Sequence, residues 1–317
     1  MKNKYLFGPV PSRRLGMSLG VDMVPHKTCT LDCVYCECGP TTELTAERKE
    51  LVPTAEVIRE LDTYLSTAPA LDYITFSGNG EPTLHSRLGE IVDFVKNNYP
   101  KYKMCLITNS TLLGEADVVE QIKNIDLIIP SFDASLQNDY NKINRPLEGQ
   151  NINQFVDSLV NFSQGTKAVI WLEIFIIPNG NDSPESIQAF RDAVIRIKPD
   201  KIQLNTLDRP GTENCVQSPT QESIDIFVNA LEDIAPLEVI GKFKYTSNSV
   251  FDNTTIEELT PRVVEMISRR PCTAEDIACS LSLPDEKVNQ IFDNLVSLSL
   301  VEVEVVERGR FLRLKAS

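Results

Sequence analysis

Four cysteines fall within ten residues, in the run CTLDCVYCEC from Cys29 to Cys38, in a chain that holds eight. Cys29, Cys33 and Cys36 follow the spacing C-x3-C-x2-C. Three thiolates on one tight loop can hold three corners of an iron–sulfur cubane. The fourth iron then stays open to a small molecule bearing an amine and a carboxylate, the logic of a catalytic site and not of a closed structural one. Structural zinc is the rival reading. Zinc sites usually pair two C-x2-C units or add histidines, and this chain has only His26 and His85. In a reducing compartment, clustered cysteines are metal or redox ligands more often than disulfides. Cys38 lies two positions beyond Cys36, an awkward reach for the same iron, and reads as a thiol beside the cluster or as filler. Cys105, Cys215, Cys272 and Cys279 are too scattered for a second cluster, and Cys105 alternates with apolar neighbours as a core residue does.

Elements able to position such a loop follow from the hydrophobic pattern. Candidate strands are 18–24, 73–78, 103–109, 126–134, 168–177 and 201–205. Between them, apolar residues recur at helical spacing: Val57, Ile58, Leu61 and Leu65; Leu88, Ile91, Val92 and Val95; Ile152, Phe155, Val156 and Leu159. Ser183-Pro184 supplies a cap and a first-turn proline, and Thr220 caps the segment before Ile224 and Phe227. Such repeated alternation predicts an α/β fold, a parallel sheet with covering helices. Several strands end in small or polar residues: Ser77-Gly78-Asn79, Thr108-Asn109, Ser131 with Asp133, and Asn205-Thr206. Chemistry in βα barrels sits at those ends.

The formal charge of −14 over 317 residues argues against a broad electrostatic grip on nucleic acid or anionic membrane. The N-terminal run MKNKYLFGPVPSRRLG has no apolar stretch long enough for a signal peptide or membrane span, so the expectation is a soluble, cytoplasmic protein without a membrane partner. Composition changes near 250, which divides the chain into expected domains 1–250 and 251–317. The second reads as three short helices and a hairpin: Thr260-Pro261 opens the first helix, Thr273 to Asp276 forms a capping box for the second, and Pro284 starts the third. This order resembles a winged-helix domain. Residues 257–317 carry eight basic and eleven acidic side chains, and Asp285, Glu286 and Asp293 sit on the third helix. DNA binding is therefore disfavoured.

CTLDCVYC, with Tyr35 just before the third cysteine, resembles the signature of the radical S-adenosylmethionine superfamily. That resemblance covers roughly residues 5–235. It implies a partial (β/α)6 barrel, a [4Fe-4S] cluster on Cys29, Cys33 and Cys36, and S-adenosylmethionine chelated to the open iron. It implies reductive cleavage of that cofactor to a 5′-deoxyadenosyl radical, hydrogen abstraction from a substrate, and a reductant such as flavodoxin or ferredoxin. FSGNGEPTL resembles the superfamily's glycine-rich motif, so Gly78, Asn79, Gly80 and Glu81 are expected near the methionyl amine. Thr108 and Asn109 resemble the pair approaching the ribose and carboxylate, and Ser131 and Asp133 occupy a strand end that often does the same. Gln203 and Asn205 would lie near the adenine. Glu173, an acid in the apolar run WLEIF, would contact the ribose, line the substrate cavity or pair with a barrel arginine.

The runs FGPVPSRRLGMSLGVDMVPHKTCTLDCVYC, FSGNGEPTL, NRP and NTLDRPGTE together are similar to iron–sulfur oxidoreductases distantly related to wyosine synthases of tRNA. Those synthases carry upstream cysteines for a second cluster, whereas no cysteine precedes Cys29 here. Arg13, Arg14, Arg145 and Arg209 sit beside prolines in loops. Their guanidinium forks suit a substrate carboxylate or phosphate, or structural ion pairs. The substrate expected is a small molecule or nucleotide. A peptide held by the C-terminal domain is the alternative, and an iron–sulfur sensor binding DNA the third reading.

Overall fold

The computed structural model describes residues 4–12, 14–25, 27–207, 212–213, 216–240, 255–256, 259–260, 263–264, 267, 272–281, 283–306 and 309–315. The chain divides into two compact units: residues 1–7 with 20–69 and 74–247, and residues 8–19 with 70–73 and 248–317. Sequence pattern alone begins the second unit at 251.

The strands are β1 (Leu6–Ser12), β2 (Gly16–Val21), the two-residue β3 (Thr28–Cys29) and β4 (Glu43–Leu44), then β5 (Tyr73–Phe76), β6 (Lys103–Thr108), β7 (Leu127–Pro130), β8 (Val169–Phe175), β9 (Lys201–Asn205) and β10 (Leu237–Ile240). All but the two short strands form one sheet in the order β1-β2-β5-β6-β7-β8-β9-β10. From β6 to β10 every pairing is parallel. Helices α1 (Thr54–Leu65), α2 (Leu88–Asn98), α3 (Ala116–Gln121), α4 (Gln137–Asp139), α5 (Ile152–Gly165), α6 (Pro184–Ile197) and α7 (Gln221–Leu231) supply the crossovers that parallel strands require. This is the parallel sheet with covering helices that the pattern predicts and the partial (β/α)6 barrel that the resemblance implies; the pattern does not predict β1 and β10.

Helix starts follow local chemistry. Ser183 accepts the Ser186 amide at 3.1 Å ahead of Pro184, and Thr220 accepts the Ser223 amide at 3.2 Å. Along β8 and β9 the pleat sorts residues by face. Leu172, Ile174, Ile202 and Leu204 are fully buried, each contributing about 1.5–3 kcal/mol of apolar burial. Glu173, Phe175, Gln203 and Asn205 share the other face, with Glu173 opposite Gln203 and Phe175 opposite Asn205.

The second unit has its own core, in which Met17 joins Leu259, Cys272, Ile291, Leu295 and Leu312. The Met17 amide bonds Asp72 Oδ2 at 2.8 Å. Thr273 and Asp276 exchange backbone-to-side-chain hydrogen bonds at 3.0 and 3.1 Å and open the helix Ala274–Leu281. The helix Asp285–Ser297 follows Pro284 and buries Val288, Ile291 and Leu295. Strands β11 (Cys272–Thr273), β12 (Val301–Val306) and β13 (Gly309–Leu314) form an antiparallel sheet in the order β11-β13-β12. Thr260 does not open the first helix of this unit. It already lies in a helical turn, where its hydroxyl donates to the Ile256 carbonyl at 2.7 Å, four residues back.

Candidate functional site

The cysteine loop leaves β3 and is held from several sides. The Thr41 amide bonds Asp32 Oδ1 and the Thr41 hydroxyl bonds the Leu31 carbonyl, both at 2.7 Å. The amides of Asp32 and Val34 bond the carbonyls of Asn144 and Ile143, both at 2.9 Å. The Thr212 hydroxyl donates to the Cys36 carbonyl at 3.1 Å, and the Glu213 amide donates to that of Val34 at 2.9 Å. Gly39 ends the turn at φ +83°, a conformation that favours glycine.

Cys29, Cys33 and Cys36 are partly buried, and each sulfur meets an N–H donor. Asn109 Nδ2 lies 3.3 Å from Cys29 Sγ, Asn144 Nδ2 3.4 Å from Cys33 Sγ, and Lys27 Nζ 3.0 Å from Cys36 Sγ. Burial pushes the Cys29 and Cys33 thiols up. A hydrogen bond from Cys38, joined by the Lys27 ammonium, holds Cys36 down at about 5 against desolvation. The Cys38 thiol also points at the Gly78 carbonyl, 3.9 Å away. Lys27 is itself 3% exposed, and the thiols around it outweigh the desolvation that would lower its pKa. Neither Lys27 nor Asn144 stands out in the sequence by itself. The signal for Asn144 is the NRP run, where attention falls on the arginine.

The donor set fits an iron–sulfur cluster: three thiols on one loop, N–H groups turned to the sulfurs, and a buried ammonium suited to an anionic centre. Among the described residues, no three His, Cys, Asp or Glu side chains are arranged to hold one metal ion. A cubane takes one thiolate per iron, so its ligands need not converge on one point.

The glycine-rich run packs directly on the loop. A Cβ on Gly80 would lie 2.1 Å from the Thr28 carbonyl oxygen, and one on Gly78 would lie 2.2 Å from Asp22 Oδ1. Asn79 Nδ2 donates to Asp22 Oδ2 at 2.7 Å. Glu81 is buried, and its carboxylate is turned inward. Oε1 accepts from the Thr83 amide (3.1 Å), the Thr83 hydroxyl (2.6 Å) and the Thr108 hydroxyl (2.7 Å), and Oε2 accepts from the Asn109 amide (2.8 Å). Three donors crowd Oε1, and Oε2 keeps one acceptor site. Glu81 braces the ends of β5 and β6 through its side chain. Asn109 likewise spends its amide nitrogen on Cys29 and, at 2.7 Å, on the Thr30 hydroxyl.

The next strand ends converge in the same unit. Tyr35 stacks on Phe175 with ring centroids 4.2 Å apart and donates its hydroxyl to Asp133 Oδ2. Asp133 Oδ1 accepts the Phe175 amide at 2.8 Å. Burial raises the Asp133 pKa to about 7, against the pull of the Tyr35 hydroxyl and with a further push from Glu173. Ser131 Oγ and Asn205 Nδ2 approach the two Glu173 oxygens, each at 3.4 Å. Gln203 Nε2 donates to Glu238 Oε2 at 3.2 Å. Gln203 Oε1 and Asn144 Oδ1 are buried acceptors without a partner among the described residues. Such groups suit a ligand that brings donors.

Two of the four loop arginines are described. Arg13 and Arg209 lie outside the described residues. The Arg14 amide bonds the Ser12 hydroxyl at 3.3 Å, and both residues belong to the second unit. Arg145, at φ +45°, pairs with Glu213 at 2.9 Å and Asp32 at 3.9 Å. It also lines an open groove of about 530 Å³ with Asp32, Gln137, Asn141 and Gln150, a volume within the usual range for ligand sites. Among the described residues, no helix is long and apolar enough to cross a membrane.

The Radical SAM superfamily model matches residues 23–190. The chain is 31% identical over 307 residues to the GTPase Obg of Brachyspira hyodysenteriae; the match takes in 96% of this chain but 44% of that protein. It is 31% identical to a UPF0026 protein of Methanocaldococcus jannaschii, over 80% of this chain and 79% of the relative. A UPF0026 protein of Synechocystis is 35% identical over 65% of this chain and 76% of its own length. In fold, the chain is similar to a radical SAM methyltransferase from Sphaerobacter thermophilus, with a TM-score of 0.54, 17% identity and coverage of 70% of this chain and 66% of that one. It is also similar to anSMEcpe with bound AdoMet and Cp18Cys peptide, with a TM-score of 0.51, 16% identity and coverage of 68% and 58%.

Proposed function

The chain belongs to the radical SAM superfamily, and on that premise we propose that it uses Cys29, Cys33 and Cys36 to hold the [4Fe-4S] cluster at which S-adenosylmethionine is cleaved. When bound, the cluster and cofactor would supply a one-electron reductive cleavage to methionine and a 5′-deoxyadenosyl radical able to take a hydrogen atom from the substrate. The observation that carries this reading is the loop itself: three partly buried thiols, each facing an N–H donor.

This chain's residues then divide the work. The glycine-rich run 78–81 offers its backbone to the methionyl end of the cofactor, and Glu81 holds that run against the end of β6. Tyr35, stacked on Phe175, closes one side of the site, and Asp133 fixes its hydroxyl. Ser131, Glu173, Gln203 and Asn205 form the polar wall that meets ribose, adenine or substrate. The groove beside Arg145 is where a small molecule or nucleotide extends outward, with Glu213 and Asp32 fixing the guanidinium. The second unit, with its strand–helix–helix–hairpin order and acidic helix Asp285–Ser297, serves as a winged-helix-like docking module for a protein and not as a DNA reader.

The test is anaerobic reconstitution followed by product analysis. The wild-type chain should take up about four irons by cubane stoichiometry. With S-adenosylmethionine and dithionite it should form 5′-deoxyadenosine, faster when a low-molecular-weight fraction of cell extract is added. Stimulation by the macromolecular fraction alone would transfer the proposal to a peptide or RNA substrate. A loaded cluster that yields no 5′-deoxyadenosine would overturn the reading.

A further inference from the structure

The donors that face the three cluster thiols come from three separate places in the chain. Asn109 lies at the end of β6 and is 80 residues from Cys29; Asn144 ends the π-helical turn Tyr140–Asn144 and is 111 residues from Cys33; Lys27 precedes β3 and is nine residues from Cys36. None belongs to the cysteine motif. Lys27 and Asn144 are each only 3% exposed. An ammonium is rarely buried this deeply without a negative partner, because desolvation costs several kcal/mol. The Cys36 sulfur stands 3.0 Å from this one. Asn144 turns its Nδ2 to Cys33 and also hydrogen-bonds Asp133, while its Oδ1 has no partner among the described residues.

We infer that Lys27, Asn109 and Asn144 are positioning residues that set the reduction potential of the cluster, one N–H donor for each ligating sulfur. The inference rests on the reading of the three cysteines as ligands. Reduction adds one electron, and so one negative charge, to a site enclosed by protein of low dielectric. N–H donors aimed at the sulfurs stabilise that more negative state over the oxidised one. The electron comes from a low-potential one-electron donor, dithionite in the test. Lys27 contributes most, because it brings a full charge where the two amides bring dipoles.

The experiment is a redox titration of the anaerobically reconstituted full chain, followed by the electron paramagnetic resonance of the reduced cluster. Lys27→Met should make reduction about tenfold less favourable, which for a one-electron couple is a potential lowered by ~59 mV. Lys27→Arg, which keeps the charge, should return the potential towards the wild-type value. Asn144→Leu should shift it in the same direction by a smaller factor. Iron-loaded Lys27→Met and Asn144→Leu that both titrate with the wild type would overturn the inference. Should Lys27→Met take up no iron, Lys27→Gln and Asn144→Leu decide the matter in the same titration. Failure of the wild-type chain to load iron would strike the functional reading, whereas loaded iron at unchanged potential strikes this inference alone.

Discussion

Gly80→Ala is the smallest change that should uncouple the glycine-rich run from the cysteine loop. Its new Cβ would lie 2.1 Å from the Thr28 carbonyl oxygen, where ordinary contact begins near 3.4 Å, and 2.8 Å from Val24 Cγ1. Thr28 cannot simply give way, because β3 is paired to β4 through Thr28 and Glu43. The run must withdraw by roughly 1 Å, which breaks the bond from the Glu81 amide to the Thr28 carbonyl at 3.1 Å. Overpacking costs about 1–3 kcal/mol, and the lost hydrogen bond about 1 kcal/mol more. At about 2–4 °C per kcal/mol for a domain of this size, melting should fall by roughly 5–15 °C. The shift also pulls Glu81 from the Asn109 amide, and Asn109 from Cys29, so iron uptake should fall with it. Thermal unfolding by circular dichroism before reconstitution, and iron content after it, measure the two effects. A Gly80→Ala protein that melts within about 2 °C of wild type and loads iron fully would show that the close approach of the two loops is not needed.

Substituting Cys29, Cys33 or Cys36 with alanine should abolish the cluster's visible absorbance, while Cys38→Ala should retain it; a colourless Cys38→Ala protein would reassign the fourth thiol as a ligand. Asp133 gives a pH signature. Its folded pKa, raised by burial to about 7, lies above the ordinary carboxylate value of about 3.9. Its stabilising contribution is thus fully present below pH ~4 and is lost as pH rises through 7, a change of up to about 4 kcal/mol. Asp133→Asn should flatten the dependence of the urea midpoint between pH 5 and 8, and identical pH slopes in both proteins would contradict the assignment. Met17→Ala should cost the second unit about 2–5 kcal/mol, read as lost amide-exchange protection in the helix Asp285–Ser297. Unchanged protection there would remove Met17 from that core.

Much of the barrel is legible because its determinants are local. Ile152, Phe155, Val156 and Leu159 mark α5 by spacing, and Ser183, Thr220 and Thr273 cap the helices they precede. β10 escapes notice because LEVI is short and carries a glutamate, and its strand character comes from pairing with β9. The three thiols are visible as a spacing. Their donors are not, because contacts such as Asn144 to Cys33 join residues 111 apart and exist only once β7 and the π-helical turn are in place. The partners of Glu81 are hidden for a related reason. The sequence shows an acid beside glycines, but not that Thr83, Thr108 and Asn109 donate to its carboxylate. The NRP run offers Arg145 either to an anion or to an ion pair, and its pairing with Glu213 and Asp32 joins residues far apart in sequence.

Met17 shares a core with Leu259, Ile291 and Leu312. A chain is made from its N-terminus, so Met17 leaves the ribosome long before any of these partners has been translated. At about 5–20 residues per second, roughly 10–50 s separate its synthesis from that of Leu259. Through that interval the barrel's strands and helices can assemble as their residues emerge, while the early ribbon at 8–19 waits with apolar surface uncovered. The second unit is therefore finished only once residue 312 has been made, and any truncated chain released before then lacks part of its core. Such products would carry an exposed Met17 as a mark of incompleteness, which chaperones and proteases that recognise uncovered apolar surface can read.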